Sequence, residues 1–237
     1  DKFIEERKVL KSLGYIKWGT RELINFKKKI GITLRVTTEK KYVEKRDVIS
    51  HDWINFLQEL DYFPVLIPNN LIDVENYISE LKLDGIILSG GDNPGEFPER
   101  DQTENKILEY AIKNSIPVLG VCRGMQIINT FFNGTISKNN NSSHVGKPHN
   151  IDIMNSSLVN LFGHDKLEVN SFHNNLIKKD DIGAELDVFA LSEKDFTIEG
   201  CFHKKYPIIG VMWHPERDQQ KKHQSQIIDI FCNKKIW

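Results

Sequence analysis

A cysteine sits inside Pro117–Phe132, PVLGVCRGMQIINTFF, where an apolar run stops at Gly120-Val121-Cys122-Arg123-Gly124 and a helically spaced apolar set, Met125, Ile127, Ile128, Phe131 and Phe132, begins at once. The order is strand, sharp turn, helix. Glycine on both sides of Cys122 suits a nucleophile held in strained backbone that tolerates no bulky neighbour. A helix N-terminus beside the sulfur favours its thiolate. A thiol with an ordinary pKa of about 8.5 is mostly protonated at neutral pH, so Cys122 needs a base, and the base needs an orienting carboxylate. Trp213-His214-Pro215-Glu216-Arg217 supplies both. His214 and Glu216, two apart, are expected to point the same way from an extended strand end, with Pro215 fixing the backbone between them. Gly91, in Ser89-Gly90-Gly91-Asp92, and Arg123, the residue after the nucleophile, offer backbone N–H groups to an oxyanion. This set predicts acyl transfer through a thioester. A non-catalytic, redox-responsive binding module on the same scaffold is the reading from another class.

Elements that could position these groups are read from periodicity. Ile30–Val36, Pro64–Ile67, Gly85–Leu88 and Pro117–Val121 read as strands, and Asp52–Leu60, Val74–Leu81 and Thr103–Lys113 as helices. Asp101 and Glu104 are spaced as a capping box for the last of these. The alternation predicts an α/β fold, a mostly parallel central sheet flanked by helices on both faces, with functional groups at the carboxyl ends of the strands. Beyond it, Phe132–His149 is a polar loop long enough to be a flap. Strand-like runs follow at Asn150–Met154, Leu167–Val169, Val188–Leu191, Thr197–Phe202 and Ile208–Trp213, then a closing helix around Ile227–Phe231. Residues 1–28 carry an amphipathic pattern interrupted near Gly14 and Gly19, read as a helical appendage on a domain of 29–237.

Composition bounds the rest. A chain of 237 residues, 39% hydrophobic, has enough apolar material for one large core, and its formal net charge of −1 gives no drive toward nucleic acid or an anionic membrane. Three widely spaced cysteines read as a reduced, cytoplasmic setting without a disulfide framework. No apolar run approaches the roughly 20 residues that cross a bilayer. His144, His149 and His173 show no compact spacing with acidic or cysteine partners, so neither a metal nor another cofactor is expected.

Ser89-Gly90-Gly91, Gly120–Gln126 (GVCRGMQ) and Trp213–Glu216 (WHPE), joined by Arg100-Asp101-x-x-Glu104 and Val169–His173 (VNSFH), resemble the class I glutamine amidotransferase superfamily in its γ-glutamyl hydrolase branch, peptidase family C26. The resemblance runs from about Lys29 to the C-terminus and implies a flavodoxin-like fold and a small-molecule γ-glutamyl substrate. It implies Cys122, His214 and Glu216 as the triad and Gly91 with Arg123 as the oxyanion hole. It places Gly90, Gln126, His144, Ser171, Phe172 and His173 at the substrate, His144 lying in the flap. Gln126, one helical turn beyond Cys122, carries an amide able to donate and accept toward a γ-glutamyl group. Arg35-Val36, Lys45-Arg46-Asp47, Pro68-Asn69 and Trp213–Arg217 resemble a subgroup from bacterial surface-polysaccharide pathways. That implies γ-glutamyl-CDP-amidate as substrate, with Arg123, Lys138, Lys147 and Arg217 as candidate cations for its diphosphate. A γ-glutamyl-amine hydrolase and a glutaminase that passes ammonia to a separate synthase stay open beside it.

Overall fold

The computed structural model describes residues 26–138, 146–217 and 222–237. The first strand among the described residues is β1 (Lys28–Thr33), and the helical appendage expected over residues 1–28 lies, up to residue 25, outside them. The single strand expected over Ile30–Val36 is broken at Leu34. There Thr33 turns its carbonyl and hydroxyl to Ser89, and the Leu34 carbonyl takes the Asn69 side chain, so side chains replace the ladder. β2 (Arg35–Glu39) and β3 (Glu44–Val48) then form an antiparallel hairpin. The strand EKRDV has no alternating pattern, which is why the hairpin is invisible to periodicity.

Helix α1 (His51–Glu59) is N-capped by Ser50, whose hydroxyl accepts from the Asp52 N–H. It leads through β4 (Tyr62–Ile67), α2 (Val74–Leu81) and β5 (Gly85–Leu88) to α3 (Pro98–Asn114). That helix starts earlier than the periodicity predicts because Pro98 opens it behind Phe97, which makes no side-chain cap. Asp101 and Glu104 are therefore not a capping box, and both carboxylates bind Arg123 instead. β6 (Val118–Val121) and α4 (Arg123–Phe131) enclose Cys122.

The second half contains β7 (Ser137–Lys138), β8 (His149–Ile153), α5 (Ser156–Phe162), β9 (Lys166–Val169), β10 (Asn175–Leu176), β11 (Leu186–Ser192), β12 (Ile198–His203), β13 (Ile208–Val211) and α6 (Lys222–Cys232). Periodicity passes over α5, although Asn155 caps its start and Gly163, at φ +80°, ends it.

Nine of the described strands form one sheet in the order β4-β1-β5-β6-β13-β12-β11-β8-β9. From β4 to β13 every neighbouring pair is parallel, as βαβ crossovers require. From β13 to β9 the pairs are antiparallel, so the sheet is mixed and its later half is built from hairpin-like returns. Alternate residues feed the two faces. Ile30, Ile87, Val121 and Val211 pack with Trp53, Trp213 and Phe231, while Ile86, Val118 and Ile208 pack with Ile107, Met125 and Ile128. Among the described residues no helix is long and apolar enough to cross a membrane. Most consequential for chemistry is the register β6 to β13, which sets Val121 beside Val211 and lets the Cys122 N–H donate to the Val211 carbonyl at 2.8 Å.

Candidate active site

Cys122 stands between strand and helix at φ +52°, ψ −104°, a backbone that costs an L-residue on the order of 1–3 kcal/mol. Its flanking glycines are required by approach distance. A Cβ on Gly124 would lie 2.0 Å from the Leu88 carbonyl oxygen, and one on Gly120 would lie 2.6 Å from that of Gly124. The elbow is braced from below by buried charge. Arg123 bonds Glu104 and Asp101, and Arg100 bonds Glu104 at 3.1 Å and Asp92 at 2.9 Å. Arg100 also donates to the Ser89 carbonyl at 2.7 Å and to that of Gly90 at 3.2 Å, fixing the turn that carries Gly91 at φ +131°. Burial disfavours the Glu104 carboxylate, but the two guanidiniums outweigh it and hold its pKa below the usual range. Arg123, named from sequence as a cation for a diphosphate, is sealed in these pairs at 1% exposure, so its side chain is structural. Its backbone N–H faces the Cys122 sulfur.

His214 follows β13 by three residues and faces the elbow. Its backbone is clamped by Asn170, whose amide accepts from the His214 N–H and donates to its carbonyl, both at 2.8 Å. Pro215–Arg217 is a 3-10 turn, so the extended geometry expected for His214 and Glu216 does not occur. The curled turn brings Glu216 back onto the ring, with Nδ1 at 2.7 Å from Oε1. Nε2 is then the nitrogen left for the sulfur, and the imidazole and the sulfur shift each other's pKa. Burial pulls the His214 pKa down, but the Glu216 charge and then the Cys122 sulfur raise it to about 9. Burial likewise pushes the Cys122 thiol up, and His214, His173 and the Arg123 N–H together bring it below its ordinary value. The two shifts run in the direction that favours thiolate with imidazolium. Burial drives both Cys201 and Cys232 to about 12, which leaves them inert thiols.

The remaining residues named from sequence divide. Gly90 borders the pair, since a Cβ there would lie 2.7 Å from His214 Cε1. Phe172 sets its ring edge-on to His214 at 5.8 Å, and the Arg217 guanidinium lies 4.3 Å over its face. Ser171 is buried nearby in the chain, and His173 Nδ1 lies 2.9 Å from the Asn175 carbonyl. Gln126 is one turn beyond Cys122, with its amide engaged by protein: its oxygen accepts from Asn175 at 3.0 Å and its nitrogen meets Met212 Sδ at 3.7 Å. His144 lies outside the described residues. Sequence reasoning named Arg100 and the segment holding Asn170 only as motif residues, without these roles, and passed over Asn175 and Glu199. Glu199, fully buried on β12, has His149 at 3.4 Å and His173 at 3.6 Å. A lone acid in an apolar strand was the readable sign of it. Among the described residues no three His, Cys, Asp or Glu side chains are grouped to hold a metal ion.

The Peptidase C26 family profile matches residues 29–216. The chain is 36% identical over 198 residues to a γ-glutamyl-CDP-amidate hydrolase from Campylobacter jejuni, covering 80% of this chain and 90% of that one. Among solved structures, a Thermoplasma acidophilum protein assigned provisionally to GMP synthase superposes with TM-score 0.63 at 25% identity, covering 86% of this chain and 92% of its own. A glutamine amidotransferase from Thermotoga maritima gives TM-score 0.59 at 16% identity over 88% and 86% of the two chains, a likeness of fold. The chain therefore belongs to the peptidase C26 family, a hydrolase on the class I glutamine amidotransferase fold.

Proposed function

We propose that this enzyme hydrolyses the C–N bond of a γ-glutamyl amide, with γ-glutamyl-CDP-amidate as its substrate. The products are glutamate and cytidine diphosphoramidate, the latter serving phosphoramidate decoration of a capsular polysaccharide. The observation that carries the chemistry is the buried Cys122–His214–Glu216 line, and what supports the substrate is the similarity to the Campylobacter jejuni hydrolase.

The thiolate of Cys122 bonds to the γ-carbonyl carbon, and the carbonyl π electrons move onto oxygen. The backbone N–H groups of Gly91 and Arg123 take that oxyanion. As the tetrahedral centre collapses, the C–N bond breaks and the departing nitrogen leaves with the proton from His214 Nε2. Water then gives a proton to His214 while its oxygen displaces sulfur, so glutamate departs and the thiolate returns. Glu216 keeps Nδ1 occupied and stabilises the imidazolium.

A second reading, a glutaminase serving a separate synthase, draws on the GMP synthase-like neighbour. Glutamate release from γ-glutamyl-CDP-amidate, γ-glutamyl amines and glutamine separates the two. The CDP conjugate is expected to show the highest kcat/KM, and Cys122→Ala to lower it by at least about 1000-fold. Unchanged release by Cys122→Ala would refute the mechanism, and glutamine cleavage that emerges only with an added partner protein would favour the second reading.

A further inference from the structure

Beside His214 and Glu216 a shallow cleft opens between the Ser89–Gly91 turn and the β2–β3 hairpin, with Arg35, Gly90, Gly91 and Arg217 among its walls. Gln126, Ser171 and His173 do not line it. His214 must reach the departing nitrogen, so whatever that nitrogen carries is placed on the open side of the imidazole, along this cleft. The question is what chemistry the cleft accepts.

Its charge is one-sided. Of the other cations on the two hairpin strands, Lys45 is paired with Glu99 at 2.5 Å and Arg46 with Glu44 at 2.8 Å. Among the described residues, Arg35 has no carboxylate at ion-pair distance. Its side chain runs across the oxyanion turn: a Cβ on Gly91 would lie 3.1 Å from Arg35 Cβ and 3.3 Å from its Nε. On the other flank Arg217 is stacked on Phe172, and its Nε lies 3.8 Å from Glu216. Glu216 is the carboxylate among the cleft walls, and its charge is already committed to His214 at 2.7 Å. Two positioned guanidinium forks therefore face one opening whose acid is spent.

We propose that Arg35 and Arg217 form a leaving-group subsite that takes a phosphate-bearing anion, most simply a diphosphate held by both forks. The inference rests on the γ-glutamyl amide reading above and assigns the residues that select among such amides. Planar guanidinium pairs with phosphate are charge-assisted and bidentate, so each loss is expected to be felt strongly and lysine to replace arginine only in part.

The test uses the full chain, Arg35→Gln, Arg217→Gln and Arg35→Lys. Each is assayed on γ-glutamyl-CDP-amidate and on the uncharged leaving group of γ-glutamyl-p-nitroanilide, and inorganic pyrophosphate is titrated into each by calorimetry. Each Gln variant is expected to lower the ratio of kcat/KM, CDP conjugate over anilide, by roughly 10-fold or more, mainly through KM, and to weaken pyrophosphate binding by a similar factor. Arg35→Lys should recover part of both. Equal losses on the two substrates, or pyrophosphate affinity that is the same in wild type and both Gln variants, would overturn the subsite. If wild type cleaves the anilide and spares the CDP conjugate while pyrophosphate still binds through Arg35, the nucleotide assignment falls and the anion subsite stands.

Discussion

At the residue scale, a thiolate away from water persists only where a cation shares its cavity, and His214, its pKa raised to about 9, is placed to supply one. On the proposed mechanism the competent state for acylation is thiolate with imidazolium. Acid removes it by protonating sulfur, at a pH below the ordinary thiol range because the Cys122 pKa is lowered. Base removes it near pH 9, where the imidazolium loses the proton owed to the leaving nitrogen. The two limbs belong to the coupled pair rather than to either residue alone. The kcat/KM profile is therefore expected to be bell-shaped with its alkaline limb near 9. Because Glu216 is the main charge raising the His214 pKa, Glu216→Gln should move the alkaline limb to lower pH and reduce kcat by roughly 100-fold or more. An unmoved alkaline limb would remove Glu216 from the mechanism.

At the scale of elements, the nucleophile depends on how closely α4 can approach β5 and β6. That approach is set by backbone atoms, which cannot rotate aside as a side chain can. Gly124→Ala would drive its Cβ into the Leu88 carbonyl, forcing α4 outward and taking Cys122 and the Arg123 N–H with it. Overpacking of this kind costs about 1–3 kcal/mol, which urea unfolding would report. A displacement near 1 Å at the elbow costs about 100-fold in rate, so activity should fall further than stability does. Near-normal glutamate release from a folded Gly124→Ala protein would show that the elbow tolerates the shift. The G-x-C-x-G spacing is readable because turn chemistry is local. The brace beneath it is not, since it links Arg123 to acids 19 and 22 residues away on a helix that starts before its periodicity does.

At the scale of the whole molecule, the antiparallel half of the sheet does more than extend it. It delivers Asn170 to the His214 backbone, and it carries His149 and Glu199 toward His173. Burial lowers the His173 pKa, but Glu199 and then the Cys122 sulfur raise it, which favours a second positive charge beside the thiolate. Glu199→Gln removes the charge that raises the His173 pKa. The pH midpoint for iodoacetamide labelling of Cys122 should rise, and labelling at neutral pH should slow several-fold. Cys201 and Cys232 stay silent in that assay because burial holds them protonated. A midpoint unchanged in folded Glu199→Gln would confine Glu199 to structure.

Spacing and turn chemistry over a few residues were enough to write part of this protein into its sequence. The elbow at Cys122, the acid beside His214, the strand ends at Leu88 and Val121, and the parallel βα alternation all belong there, because periodicity and glycine placement act locally. The rest waited for the chain to fold. Folding curled Pro215–Arg217 into a 3-10 turn, converted Arg123 and Glu104 from candidate ligand and cap into a buried ion network, and turned the Gln126 amide onto Asn175. It also gathered His149, His173 and Glu199, and left Arg35 and Arg217 facing the cleft. The reason is electrostatic. A charged side chain's role depends on which opposite charge the fold brings within about 4 Å and how much water it leaves between them. Both are fixed by partners tens of residues away, as with Thr33 and Glu104, 71 apart, or His214 and Asn170, 44 apart.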